Sequence, residues 1–104
     1  MSQGVVAGSV VYIAGQVADD TSADVKGQTA QVLAKIDAVL ATAGSSKSQL
    51  LSATIYLKDM ADFAAMNQIW DAWVAVDGKP ARATVQAALA TPEYLVEIQA
   101  VAAL

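Results

Sequence analysis

The stretch DVKGQTAQVLAKIDAVLATAG, residues 24–44, predicts a long amphipathic helix. Thr21 and Asp24 predict its start, as a capping-box-like pattern with an acidic residue in the first turn. Gly44 predicts its end, because glycine readily adopts the left-handed backbone that follows a helix. Apolar side chains recur along the stretch at helical spacing: Val25, Val32, Leu33, Ile36, Val39 and Leu40. A helix with one apolar face must bury that face, so the flanking segments decide the fold.

The segments on either side of this helix have the composition of β-strands. Residues 3–6 and 10–14 are β-rich runs joined by a short turn at residues 7–9, which predicts a hairpin. After the helix, the run LLSATIYL at residues 50–57 predicts a buried strand.

A second helix and two more strands are predicted in the rest of the chain. Asp62 is a good candidate for the helix N-cap, and the turn-forming residues DGKP at 77–80 predict its end. Two strands follow near residues 82–88 and 94–102. The apolar side of the second helix consists of Phe63, Met66, Ile69, Trp70, Trp73 and Val74.

The predicted order of elements is ββαβαββ, which indicates a single α+β domain over residues 1–104. Strands that alternate with two helices predict one mixed sheet with both helices on one face. The other face is then left to solvent or to a partner. Hydrophobic residues make up 56% of the chain and charged residues only 15%, and a small monomer has little interior for so much apolar sequence. We therefore expect a homo-oligomer.

The composition argues against several classes of function. A net charge of −4, with five scattered lysines, argues against nucleic-acid binding, which needs a basic patch. The absence of cysteine and histidine excludes disulfides, a thiolate nucleophile, a Ser-His pair and the usual zinc sites. A Mg²⁺ or Ca²⁺ site made of carboxylates alone stays open in principle, although the acidic residues lack the spacing of a calcium loop. We therefore expect neither a metal nor a cofactor.

The first 18 residues are uncharged, which raises the question of a membrane or signal segment. Glycines and polar residues interrupt this run, and no positively charged region precedes it. Paired strands explain it better, and we expect a cytoplasmic protein without a membrane partner.

The stretch GKPARATVQA, residues 78–87, contains the only arginine of the chain. Strand alternation places Arg82, Thr84 and Gln86 on one face of the predicted strand. Glu97, one of two glutamates, interrupts the apolar run YLVEI in the last strand. A carboxylate in that setting is either paired or held partly protonated by burial.

Two interpretations of Arg82 and Glu97 are open. The first is a salt bridge, either across strands or between subunits, which is the more common role of such a pair. The second is an anion site, in which the arginine fork binds a small carboxylate and the glutamate positions or deprotonates a water. Without a metal or a nucleophile, the feasible chemistry is addition of water to an electrophilic group such as an imine.

Several segments then resemble a known family over nearly the whole chain. In chain order they are QGV at 3–5, AGQVA at 14–18, QTAQVLAKI at 28–36, ATIYLKDMADFAAMN at 53–67, PARATV at 80–85 and VEIQAVA at 96–102. Together they resemble the reactive intermediate deaminase family, also known as the YjgF/YER057c/UK114 or endoribonuclease L-PSP family.

This resemblance implies a chorismate-mutase-like homotrimer, with sheets lining a central barrel and three active sites in clefts between subunits. It also implies hydrolysis of 2-imino acids, formed from enamines such as 2-aminoacrylate, to 2-oxo acids and ammonia. By resemblance, Arg82 binds the substrate carboxylate, Glu97 handles the hydrolytic water, and a main-chain group at Thr84 helps to hold that water. Gly15 and Asn67 match positions that line the cleft.

The chain departs from the family pattern at three points. Ala14 stands where the family usually has serine, and Thr84 where cysteine is common. A GlyProTyr segment, whose tyrosine contributes to the site, has no counterpart, because Met1 lies roughly where that tyrosine would be. We therefore expect a divergent subgroup with its own imine preference.

Other interpretations are weighed beside this one. A non-catalytic trimer would bind small carboxylates or a partner protein through the same arginine. RNA cleavage, suggested by one family name, is disfavoured by the acidic balance and by the lack of a basic or aromatic track. Trp70 and Trp73 are assigned to the core, Asn67 could bond the backbone locally, and Gly15 could simply permit a bulge.

Overall fold

The computed structural model describes residues 1–104 and contains five strands and two α-helices in the predicted order ββαβαββ. The elements are β1 (Gly4–Ala7), β2 (Val10–Gln16), α1 (Val25–Ala43), β3 (Leu50–Leu57), α2 (Phe63–Trp73), β4 (Ala81–Gln86) and β5 (Val96–Ala103). Short 3-10 turns at Lys47–Gln49 and Met60–Asp62 precede β3 and α2.

All five strands form one mixed sheet in the order β1-β2-β5-β3-β4. β3 and β4 pair in parallel, because α2 crosses over between them, and the other pairs are antiparallel. β4 is an edge strand, while β5 lies at the centre, between β2 and β3. The predicted fold class is confirmed.

The core lies between the sheet and the two helices. The sheet contributes alternate residues to it, such as Ile55 and Ile98, and α1 contributes Leu33 and Ile36, all fully buried. The opposite face of the sheet carries no helix, and there Tyr12 remains 52% exposed. One sheet face is therefore open, as predicted. Neither helix combines the length and the apolar character needed to cross a membrane.

The helix caps lie at the predicted residues and differ from the prediction in two details. Asp24 caps α1, where its carboxylate accepts from the Gly27 amide at 2.9 Å, but the first turn holds no acidic residue. Gly44 ends α1 with φ at 81°, as predicted. Asp62 occupies the N-cap position of α2, as predicted, but its side chain makes no capping hydrogen bond. The 3-10 turn runs directly into α2, so Asp59 caps this earlier turn instead, by accepting from the Ala61 amide.

Gln28 on α1 connects the helix to the segment that leads into β5. Its side chain is fully buried, its amide oxygen accepts from the Leu95 amide at 3.0 Å, and its amide nitrogen donates to the Glu93 carbonyl at 3.1 Å. The same nitrogen donates to the Ala23 carbonyl at 3.2 Å. Because buried backbone groups need partners, Gln28 fixes where β5 begins.

Replacing Gln28 with leucine should lower the free energy of unfolding by about 2–4 kcal/mol, because the Leu95 amide and the Glu93 carbonyl lose a buried partner. Urea denaturation followed by circular dichroism measures this loss. Gln68→Leu on the exposed side of α2 is the control, and it should change stability by less than about 0.5 kcal/mol. Equal effects of the two variants would show that the Gln28 connection contributes nothing specific.

Candidate active site

Arg82 on the edge strand β4 faces the helices. It pairs with Ala53 of β3, whose side chain is buried under the helix layer. Paired residues in a ladder point to the same face of the sheet. Thr84 and Gln86 share this face, as the alternation of the sequence predicts.

A polar and aromatic surface of α2 holds the guanidinium of Arg82. Its Nη1 donates to Asn67 Oδ1 at 2.6 Å. Its Cζ lies 5.3 Å from the ring centroid of Trp70 and 5.7 Å from that of Phe63. Such cation–π contacts stabilise by about 0.5–2 kcal/mol each. We call Arg82, Asn67, Phe63 and Trp70 the arginine cluster.

Helical spacing explains how α2 presents these three side chains together. Positions 63, 67 and 70 follow one another at intervals of four and three residues, which places them along one side of the helix. The Arg82 side chain makes no other hydrogen bond within the chain, so most of its guanidinium N–H donors are available to a ligand. Two residues further along β4 on the same face, the buried Oγ1 of Thr84 has no hydrogen-bond partner.

Glu97 on β5 belongs to a different surface. It pairs with Tyr56 of β3 and therefore faces the open side of the sheet. It forms no ion pair within the chain, where the only salt bridge joins Lys35 and Asp19. Its half-buried side chain is consequently free for a partner that the single chain does not supply.

Gly15 lies directly against the carboxylate of Glu97. The pairing of β2 with β5 is irregular between Ile13 and Gln16, which is the bulge that the sequence predicts as one role of Gly15. A Cβ at position 15 would overlap Oε2 of Glu97 and lie 2.9 Å from its Cδ. Only glycine therefore leaves the carboxylate its place. We call Gly15 and Glu97 the glutamate cluster.

The two clusters lie on opposite faces of the sheet. Arg82 is in register with Ala53 and Glu97 with Tyr56, and these two β3 residues are three positions apart, so they point in opposite directions. In addition, β3 separates β4 from β5. The predicted cross-strand salt bridge between Arg82 and Glu97 within one chain is therefore wrong, because sheet order and alternation both keep them apart. A salt bridge between Arg82 of one subunit and Glu97 of another is the only salt-bridge interpretation that stays open.

Sequence reasoning did not identify Phe63 and Trp70 as contacts of Arg82. Trp70 is core as predicted, at 5% exposure, and Trp73 packs partly buried against it. The same buried ring also contacts the guanidinium, because β4 lies next to α2. The signal in the sequence is the i, i+4, i+7 spacing of Phe63, Asn67 and Trp70, which gains meaning only once Arg82 is placed beside it.

No main cavity of the chain surrounds either cluster. One cavity of about 410 Å³ lies between the first hairpin and α1, and one of about 490 Å³ lies in the loop after β4. A groove of about 310 Å³ runs between the two helices. None of these three includes Arg82 or Glu97 among its lining residues. Neither cluster therefore lines a large cavity of the single chain.

Two carboxyl groups outside the clusters have lowered pKa values. A hydrogen bond from the Ser22 hydroxyl is the main cause that lowers the pKa of Asp20, and a side-chain hydrogen bond from Thr91 does the same for the pKa of Glu93. Both groups are exposed loop residues, so their ionisation is a property of local turns. No three metal-ligating side chains lie close enough together to hold an ion.

Comparison with known proteins identifies the family of this chain and agrees with its fold. The family model described as endoribonuclease L-PSP matches residues 1–104. A RutC family protein, YoaB of Escherichia coli, is 52% identical over 99 residues, which is 95% of this chain and 86% of the relative. Relatives of this kind are thus slightly longer than the chain.

Solved structures give the same result. A YjgF family protein from Neisseria meningitidis superimposes with a TM-score of 0.96 at 48% identity, covering 99% of this chain and 86% of that one. RidA from a Psychrobacter species has a TM-score of 0.92 at 33% identity, covering 100% and 88% of the respective chains. The family model and these relatives together establish that the chain belongs to the endoribonuclease L-PSP family, the YjgF/RidA family.

Proposed function

We propose that this protein hydrolyses reactive 2-imino acids and their enamine precursors, of the 2-aminoacrylate and 2-iminopropionate type, to 2-oxo acids and ammonia. The observation that carries the proposal is the arginine cluster, in which a single guanidinium is held in place and keeps free donors. It stands at the position that the family resemblance assigns to the carboxylate anchor.

Arg82 is suited to bind the substrate carboxylate. A guanidinium can donate two parallel hydrogen bonds to one carboxylate, and each charged hydrogen bond contributes about 1.5–3 kcal/mol. Asn67 occupies one donor, and the rings of Phe63 and Trp70 restrict the plane of the group. The substrate therefore meets a preorganised fork, which lowers the entropic cost of binding.

Glu97 is suited to handle the water. In the proposed reaction the enamine first tautomerises to the imine, and water then adds across the C=N bond. Glu97 takes a proton from the attacking water and delivers it to the imine nitrogen, which gives a carbinolamine. It then takes the hydroxyl proton of the carbinolamine and delivers it to the amino nitrogen, so that the C–N bond breaks, ammonia leaves and the 2-oxo acid remains. Gly15 leaves room for the carboxylate, and by the family resemblance a main-chain group at Thr84 helps to hold the water.

Bringing the two clusters to one substrate requires a second copy of the chain. Within one chain the two clusters lie on opposite faces of the sheet. The exposed side chain of Tyr12 also shows that the open face has aromatic surface that the single chain does not cover. We propose a homotrimer in which the arginine cluster of one subunit meets the glutamate cluster of the next. A ring of this kind repeats one heterologous contact, so all three sites are equivalent.

A non-catalytic role is the second candidate, and it is favoured by the completeness of the arginine cluster on a single chain. That cluster could bind 2-oxo acids without any contribution from Glu97. Calorimetry with pyruvate combined with an imine assay separates the two functions, because the binding protein would show affinity without turnover.

Arg82→Ala should lower kcat/KM for 2-iminopropionate, generated in the assay from an amino acid and an oxidase, by about 10²-fold or more, because the carboxylate loses its charged anchor. Glu97→Gln should lower it by about 10²–10⁴-fold through the loss of the base. Lys79→Ala, which removes a nearby exposed cation, is the control and should retain wild-type activity. No acceleration by the wild-type protein over a panel of imino acids would disprove the proposed reaction.

Gly15→Ala should reduce kcat by about 10²-fold, because the added methyl displaces the Glu97 carboxylate from its position. Gly8→Ala in the same hairpin is the matched control. The added methyl group at position 8 would meet no atom within 4 Å. Because Gly8 has a φ of 60°, the change should lower stability but leave kcat unchanged. Comparable activity of the Gly15 variant and the wild type would argue against a role of Glu97 in the chemistry.

Co-expression of Arg82→Ala with Glu97→Gln chains tests the shared site directly. Random mixing in equal amounts should restore about a quarter of wild-type activity, because half of the chains supply each intact cluster. Each variant alone should be nearly inactive. If the mixture is as inactive as the separate variants, the two residues do not act across one interface.

A further inference from the structure

We propose that Asp71 is a positioning residue, which acts on Arg82 through Asn67 and so determines how the guanidinium meets its ligand. This inference rests on the proposed function only in taking the ligand to be a carboxylate. Neither the family comparison nor the sequence patterns assign any role to Asp71.

The three side chains form one hydrogen-bonded sequence. Asp71 Oδ2 accepts from Asn67 Nδ2 at 3.3 Å, and Asn67 Oδ1 accepts from Arg82 Nη1 at 2.6 Å. Asp71 follows Asn67 by one helical turn on α2, so the two side chains are neighbours on the helix surface.

Donor and acceptor chemistry fixes the orientation of the asparagine amide. Arginine can only donate, so Asn67 must turn its oxygen towards Arg82 and its amino group away. An ionised carboxylate can only accept, and Asp71 takes that amino group. If the Asn67 amide flipped, its amino group would face the Arg82 guanidinium and its oxygen would face the Asp71 carboxylate. Both of these contacts would be repulsive. Asp71 therefore favours the one amide orientation that holds Arg82.

Orientation of the guanidinium decides which donors remain for a ligand. The rings of Trp70 and Phe63 restrict its plane, while the bond from Asn67 restricts rotation within that plane. With Nη1 held, the remaining edge is presented in a constant direction. Loss of Asp71 would loosen this control without removing any group that touches the ligand.

Two simpler roles for Asp71 must give different results. As an ordinary exposed i, i+4 contact, it would affect helix stability slightly and leave Arg82 unchanged. As a distant negative charge, it would act on Arg82 equally well without Asn67. Only the positioning role makes the effect of Asp71 on the Arg82 guanidinium depend on the presence of Asn67.

Because Arg82 is the only arginine, its guanidinium nitrogen-15 signals are unambiguous in the free, full-length protein. We expect slow guanidinium rotation in the wild type and at least threefold faster rotation in Asp71→Ala. Asn67→Ala should be at least as fast, and the double variant should match Asn67→Ala alone. Asp77→Ala, which removes another exposed carboxylate without side-chain hydrogen bonds, is the charge control and should behave as wild type.

The same four variants should differ in kinetics with 2-iminopropionate. Asp71→Ala should raise KM by about 3–10-fold with kcat nearly unchanged, because a less ordered anchor weakens substrate and transition state alike. Its thermal midpoint should match that of Asp77→Ala, which separates positioning from folding. The inference would be overturned if the Arg82 guanidinium rotated at the same rate in Asp71→Ala as in Asp77→Ala. It would also be overturned if the effects of Asp71→Ala and Asn67→Ala on this rate were additive in the double variant. The rotation measurement needs no ligand, so a failed imine assay rejects the proposed function alone.

Discussion

The alternation of side chains across β3, β4 and β5 is the constraint on which the rest of this structure depends. A strand directs successive residues to opposite faces. Because of the register of β3 with its two neighbours, the charged side chains of β4 and β5 therefore lie on different faces of the sheet. Arg82 is placed on the helix side and Glu97 on the open side. A shift of one residue in either pairing would exchange the faces and bury one charge in the wrong environment.

Each charge has a specific local support, which explains how a charge-poor sheet tolerates it. Arg82 lies on an edge strand, where two aromatic rings and an amide oxygen replace part of its hydration. Glu97 lies beside a glycine in a bulged strand, where the missing side chain leaves it room. Gln28 adds a further constraint, since its buried amide fixes the start of the strand that carries Glu97.

The composition narrows the chemistry that these two clusters can perform. Without histidine or cysteine, the chain offers carboxylates, one guanidinium, hydroxyls and backbone groups. Such a set favours a reaction whose electrophile is already activated, which is true of an imine. The buried, unpaired hydroxyl of Thr84 on the face of Arg82 is a polar group available to a water or a ligand.

The sequence by itself determined the order of elements, the helix α1 with its Asp24 and Gly44 ends, the mixed sheet under two helices, and the shared face of Arg82 and Thr84. These follow from periodicity and capping, which are local properties. It did not determine that the Asp62 side chain leaves the first turn of α2 uncapped, because a 3-10 turn capped by Asp59 runs directly into the helix. Nor could it place Phe63 and Trp70 on Arg82, since the contact joins residues that meet only when β4 lies beside α2. Only the tertiary structure decided that Arg82 and Glu97 lie apart, because strand order and register depend on contacts between distant parts of the chain. The strands β4 and β5, which carry these two residues, are consecutive in sequence but are separated in the sheet by β3.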